Sequence, residues 1–181
     1  MAKLRAAKAY RRVKRAYVRT SKLRSKDYVK GQPNIRVAQY DMGNPRITYS
    51  HEVQLISMWK IQVRDNALEA ARQTAARHMD LTAVKEGYSI KVRAVPHHIL
   101  RENPLATGAG ADRFQQGMSQ SFGNPYGHAA QVKPGKIMFS FYVNKGQIAF
   151  AKEAARKAST KLPMHCAIKV FDIATGKEVV V

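Results

Sequence analysis

Residues 101–127 form a run with neither helical nor alternating hydrophobicity, set between two strongly patterned strand-like segments. Any fold available to this chain must bring those two segments into one body and let the run leave it as a long excursion. Loops of that length inside a compact domain are uncommon, and are usually either functional or disordered. Gly108, Gly110, Gly117, Gly123 and Gly127 punctuate the run, so its backbone can approach a crowded surface closely.

The flanking pattern sets the fold class. Residues 88–95 alternate cleanly, with Ile90, Val92 and Ala94 facing one way, Lys91 and Arg93 the other, and Pro96 closing the segment. Residues 136–143 set Ile137, Phe139, Phe141 and Val143 against Lys136, Met138, Ser140 and Tyr142, and residues 52–57 and 167–173 read as further strands. Two helices are predicted. The first covers 65–79, with Leu68, Ala71, Ala75 and Met79 on one face and Asn66 with Glu69 as a capping box. The second covers 147–161, with Ile148, Ala151, Ala155 and Ala158 inward and Lys152, Arg156 and Lys157 outward. Clusters at 31–34 and 41–45 read as turns. The expected architecture is α+β: a two-layer sandwich of a mixed, mainly antiparallel sheet and two main helices. A basic extension spans 1–36 and a single domain 37–181, without repeats.

The 181 residues carry 32 Lys and Arg against 12 Asp and Glu, a formal net charge of +20. Hydrophobic residues make up 45% of the chain, enough for a real core. Such a balance needs a polyanionic partner, and nucleic acid leads because Lys and Arg on phosphates release condensed counterions. An anionic membrane surface is the rival, although the longest apolar stretches are far too short to span a bilayer. The first thirty residues hold twelve cations (Lys3, Arg5, Lys8, Arg11, Arg12, Lys14, Arg15, Arg19, Lys22, Arg24, Lys26 and Lys30) and one acid, Asp27. Arg36 follows shortly after. Tyr10, Tyr17 and Tyr28 interleave with them and offer stacking faces for unpaired bases. A segment this polar is expected to order on a partner. It has no apolar core of a secretory signal. The single cysteine, Cys166, allows no internal disulfide and fits a reducing compartment.

Catalytic and metal chemistry find little support. His97-His98 and His165-Cys166 are adjacent pairs that would point to opposite sides of a strand, and no metal-ligand spacing occurs. Gly108-Ala109-Gly110 lacks the rest of a phosphate-cradling loop. Glu102 and Asp112 are as easily partners for Arg101 or Arg113 as general bases. No enzyme, cofactor or small-molecule substrate is expected. The loop instead suits RNA. Arg101 and Arg113 can pair with phosphate or stack, Phe114, Phe122 and Tyr126 offer rings, and Gln115, Gln116, Gln120 and Asn124 can meet base edges or 2′-hydroxyls. Leu105, Phe114, Met118 and Phe122 together need something to bury against. The alternative is a free-standing RNA- or DNA-binding protein, a chromatin or RNA chaperone factor. Such a protein has no need of these side chains in a Gly-rich excursion.

Gly110-Ala111-Asp112-Arg113-Phe114-Gln115-Gln116-Gly117-Met118, then Phe122-Gly123-Asn124-Pro125 and Gly127, resembles the signature of a universal large-subunit ribosomal protein family. It is called L-ten-e in archaea and eukaryotes and L-sixteen in bacteria. Arg15-Ala16-Tyr17, Tyr28-Val29-Lys30-Gly31, Asp41-Met42-Gly43-Asn44, Leu68-Glu69-Ala70-Ala71-Arg72 and Pro96-His97-His98 extend the resemblance over nearly the whole chain. It implies a cytoplasmic ribosomal protein bound to large-subunit rRNA near the 5S rRNA arm, beside the peptidyl-transferase centre and among neighbouring ribosomal proteins. The loop would reach toward tRNA acceptor ends and the basic segment would thread into rRNA. Ser119 and Asn124 stand where the family usually carries Arg and Lys, so this loop has two cations fewer. The close of the chain soon after its last strand fits the archaeal branch.

Overall fold

The structure, a computed structural model, describes residues 5–14, 22, 23, 25, 29, 31–83, 87–102 and 123–179. In chain order the elements are β1 (Asp41–Gly43), β2 (His51–Ser57), β3 (Ile61–Arg64), α1 (Asp65–Thr82), β4 (Ser89–Val92), β5 (His98–Glu102), β6 (Asn124–Val132), β7 (Ile137–Val143), α2 (Ile148–Ser159) and β8 (Cys166–Asp172). They build two sheets, ordered β1-β4-β7-β2-β8 and β3-β6-β5. The α+β class holds, but the single mixed sheet does not. Every strand pairing among the described residues is antiparallel, and the strands divide between two sheets.

The division has a simple cause. β2 and β3 pair in succession with β7 and β6, so the four strands form one antiparallel ribbon bent at a corner. On one side of the corner Ile56 faces Ile137; on the other Ile61 faces Val132. Residues 58–60 and 133–136 make the bend. It is tied by Gly135 N–H donating to the Ser57 carbonyl at 2.8 Å and Ser57 N–H donating to the Lys136 carbonyl at 2.9 Å. Gly135 sits at φ +78°, a conformation that favours glycine.

The helices cover the bend. α2 lies on β2, β7 and β8, while α1 packs along α2 and reaches β3 and β6. Leu68, Ala71, Ala75 and Met79 of α1 and Ala151, Ala155 and Ala158 of α2 are fully buried, as their spacing predicts. One continuous core takes in Val53, Leu55, Phe139 and Phe141 from the large sheet with Val63, Ala130 and Val132 from the small one. β7 buries Met138 and Ser140 as well as Phe139, Phe141 and Val143.

Three local expectations change. The 41–45 cluster contains a strand: Asp41, Met42 and Gly43 pair with Lys91, Ile90 and Ser89, and Gly43 at φ +79° ends it. The capping box does not form. Asp65 Oδ1 accepts from Asn66 N–H at 2.8 Å, and Asp65 Oδ2 from Arg36 N–H at 3.2 Å. Glu69 turns to Arg72, Gln73 and the Ala38 amide. Residues 36–38 cross the start of α1 and bring amides that compete for both carboxylates. The unpatterned run also shortens at its ends, where Arg101 and Glu102 close β5 and Asn124 opens β6. These strands escaped notice because both their faces are largely covered, which removes the period of two.

Candidate nucleic-acid interface

β5 and β6 form the stem of the loop. His98 lies opposite Ala129, Ile99 opposite His128 and Leu100 opposite Gly127, followed by a bulge before Arg101–Pro125 and Glu102–Asn124. The strands leave and re-enter the sheet as direct neighbours, so the ends of the loop are held roughly 5 Å apart. Gly123, at φ +140°, makes the re-entry. The loop positions Gly108, Gly110, Asp112, Arg113, Phe114, Gln115, Gln116, Gly117, Met118 and Phe122 lie outside the described residues, as do Lys3, Arg15, Tyr17, Arg19, Arg24, Lys26 and Lys30.

Residues 5–14 lie along this small sheet, held by their backbone. Gln62 Nε2 donates to the Tyr10 carbonyl at 3.0 Å and Gln62 N–H to the Arg11 carbonyl at 3.0 Å. Gln131 Nε2 donates to the Lys14 carbonyl at 2.7 Å, and Arg64 Nη1 to the Arg5 carbonyl at 3.1 Å. The short 3₁₀ turn Ala7–Tyr10 buries none of its residues. Hydrogen bonds, rather than apolar burial, hold the segment, which is how so polar a stretch can rest on the body. Because the grip is on carbonyls, Lys8, Arg11, Arg12 and Lys14 stay exposed, as do Lys22 and Arg36 further along. Gln62 and Gln131 carry this arrangement, and no sequence pattern marks either.

At the root of the loop Glu102 is buried and bound. Arg5 Nε reaches its Oε2 at 3.1 Å, and the Tyr10 hydroxyl donates to its Oε1. Burial, then the bond to this carboxylate, push the Tyr10 phenol up to about 12, so it stays a donor at neutral pH. Glu102 is therefore an anchor for the basic segment rather than a partner of Arg101 or a general base. Between segment and stem runs a cleft of about 330 Å³ lined by Arg5, Tyr10, Arg12, Lys14, Gln62, His98, Arg101 and Glu102 among others. Its cations face one carboxylate that is already paired. His98 is buried beside it and His97 exposed, on opposite sides as adjacent strand residues must be. Burial, with His97, Arg101 and His128 nearby, lowers the His98 imidazole to about 4. His128 Nε2 donates to the Pro33 carbonyl at 2.6 Å, tying the next stretch of chain to β6.

The described carboxylates are all engaged. Glu69 pairs with Arg72, Asp41 with Lys91, Glu52 with Arg93, Glu153 with Arg156 and Glu178 with Lys169. Asp80 accepts from Tyr88, Asp172 caps its own turn, and Asp65 holds residue 36. The surplus positive charge consequently has no internal outlet. Cys166 packs against the core, and burial pushes its thiol up to about 11, far from the reactive range.

The body grips this cationic segment by its carbonyls and by Arg5 and Tyr10, and leaves Lys8, Arg11, Arg12 and Lys14 outward. A family model described as ribosomal protein L16p/L10e matches residues 13–169. The large ribosomal subunit protein uL16 of Archaeoglobus fulgidus is 43% identical over 164 residues, 91% of each chain. The protein of that name from Methanococcus maripaludis is 42% identical over 178 residues, 98% of each chain. That from Staphylothermus marinus is 42% identical over 143 residues, 79% of this chain and 82% of its own. The chain belongs to the ribosomal protein L16p/L10e family and is of archaeal type.

Proposed function

We propose that the protein is a structural constituent of the large subunit of the cytoplasmic ribosome, binding large-subunit rRNA and neighbouring ribosomal proteins. In this reading it sits near the 5S rRNA arm and the peptidyl-transferase centre. The loop of residues 101–127 would reach toward tRNA acceptor ends and help position them. The protein performs no chemistry of its own: it supplies cations and a shaped surface. The observation that carries the reading is the backbone grip on residues 5–14, which leaves Lys8, Arg11, Arg12 and Lys14 outward for phosphates on a surface whose described carboxylates are engaged. Membership in the family, and relatives named as large-subunit proteins, supply the particular polyanion. Sedimentation of a native lysate tests it. The protein is expected to travel with large subunits in low salt and to be stripped by salt washing. Recovery only at the top of the gradient, or on chromatin, would favour the free-standing alternative.

A further inference from the structure

The bend of the β-ribbon presents a second surface. Met58 and Trp59 are 54% and 48% exposed there, high for side chains of their size. They project from the turn that carries β2 into β3, beside the turn 133–136 that carries β6 into β7. His165 completes the corner: its carbonyl accepts from Met58 N–H at 3.1 Å, and its ring meets Trp59 edge to face at 4.8 Å. One ring partner can occupy at most one face of the indole. The two turns carry Lys60, Lys133 and Lys136, all exposed, and contain no acid. None of the three lysines makes an ion pair among the described residues.

An exposed indole on turns whose three lysines make no ion pair among the described residues has the two components of a single-strand nucleic-acid contact. The ring stacks on any base and the cations follow the backbone on either side. An acidic protein partner would be served by the lysines alone and gives no reason for the open ring. The corner is separate from the loop: eight strand steps of β6 lie between Asn124 and Val132, roughly 25 Å. We infer that Trp59, with Lys60, Lys133 and Lys136, forms a second RNA-binding site that stacks an unpaired base, so that the protein clamps two RNA segments at once. The inference rests on the RNA-binding reading above and adds a site to it.

Trp59 is the only tryptophan of the chain, so its emission reports this corner alone. The intact protein is titrated with end-labelled single-stranded oligoadenylate, following label anisotropy and tryptophan emission together. Emission should be quenched along the anisotropy curve. Trp59→Ala should weaken binding between about five- and a hundredfold, while Trp59→Phe, which keeps a stacking face, recovers most of the affinity. Lys133→Ala and Lys136→Ala should each lower the salt slope by about 0.7. Saturation of anisotropy with unchanged emission, and with Trp59→Ala binding like the parent, overturns the second site and leaves the ribosomal reading standing. Trp59 shielded from oxidation in purified subunits, yet untouched by RNA in the titration, assigns the corner to a neighbouring protein and overturns it as well. Failure to sediment with subunits sinks the ribosomal reading instead.

Discussion

Tyr10 and Glu102 are ninety-two positions apart and share one hydrogen bond, and the start of the chain depends on it. Tyr10→Phe keeps the ring and removes the donor, leaving Glu102 Oε1 buried without that partner. The expected cost is about 1–3 kcal/mol, the usual penalty for an orphaned buried acceptor. It should appear as faster protease cleavage within residues 5–14 of the free protein, with the global unfolding midpoint nearly unmoved. Cleavage at the parent rate would show that Gln62, Gln131 and Arg64 suffice. Gly43 is a stricter case. Its φ of +79° is already costly for other residues, and a Cβ there would run into the Tyr88 carbonyl. Gly43→Ala should therefore cost at least about 2 kcal/mol in denaturant unfolding and free β1 from β4.

At the scale of elements, β5 and β6 hold the two ends of the loop side by side. Removing residues 106–121 should leave thermal unfolding close to that of the parent while impairing translation or subunit maturation in cells. Collapse of the melting transition would make the loop part of the core. The stem should also carry a pH signature. The His98 imidazole is held at about 4, mainly by burial, against an ordinary 6.5, so the unfolded chain binds the extra proton first as pH falls. The His98 contribution is full above about pH 6.5, declines toward pH 4 and levels below it. A depression of this size corresponds to at most about 3 kcal/mol, less what water at the cleft mouth removes. His78, half-buried beside Lys157, is shifted the same way and adds to the decline. Melting temperatures measured from pH 7 to 4 should fall, and His98→Asn should flatten part of that fall.

For the whole molecule the governing quantity is charge without internal partners. Binding to large-subunit rRNA fragments should weaken by roughly three orders of magnitude or more between about 50 and 200 mM salt, and a flat response would remove the electrostatic account. Asn124 offers a finer test, since it is exposed and opposite Glu102, whose carboxylate Arg5 and Tyr10 already hold. Asn124→Lys would add a cation at the root of the loop. It should steepen the salt slope by just under one unit, without pairing to Glu102.

The sequence by itself determined the elements that have one wet and one dry face. The inward residues of α1 and α2, the alternation at 88–95, the charge surplus and the family signature are all local facts, written at fixed spacing along the chain. What required the tertiary structure was every feature made by residues far apart. β5 and β6 have no period because the chain covers both their faces, and the split into two sheets follows from a ribbon bent at residues 58–60 and 133–136. Asp65 and Glu69 gave up a local cap for amides of residues 36 and 38. Glu102 lost its reading as an Arg101 partner when Arg5 and Tyr10 reached it first. Periodicity reports how a segment meets water, and it is silent on which distant group arrives to satisfy a buried carboxylate or a carbonyl.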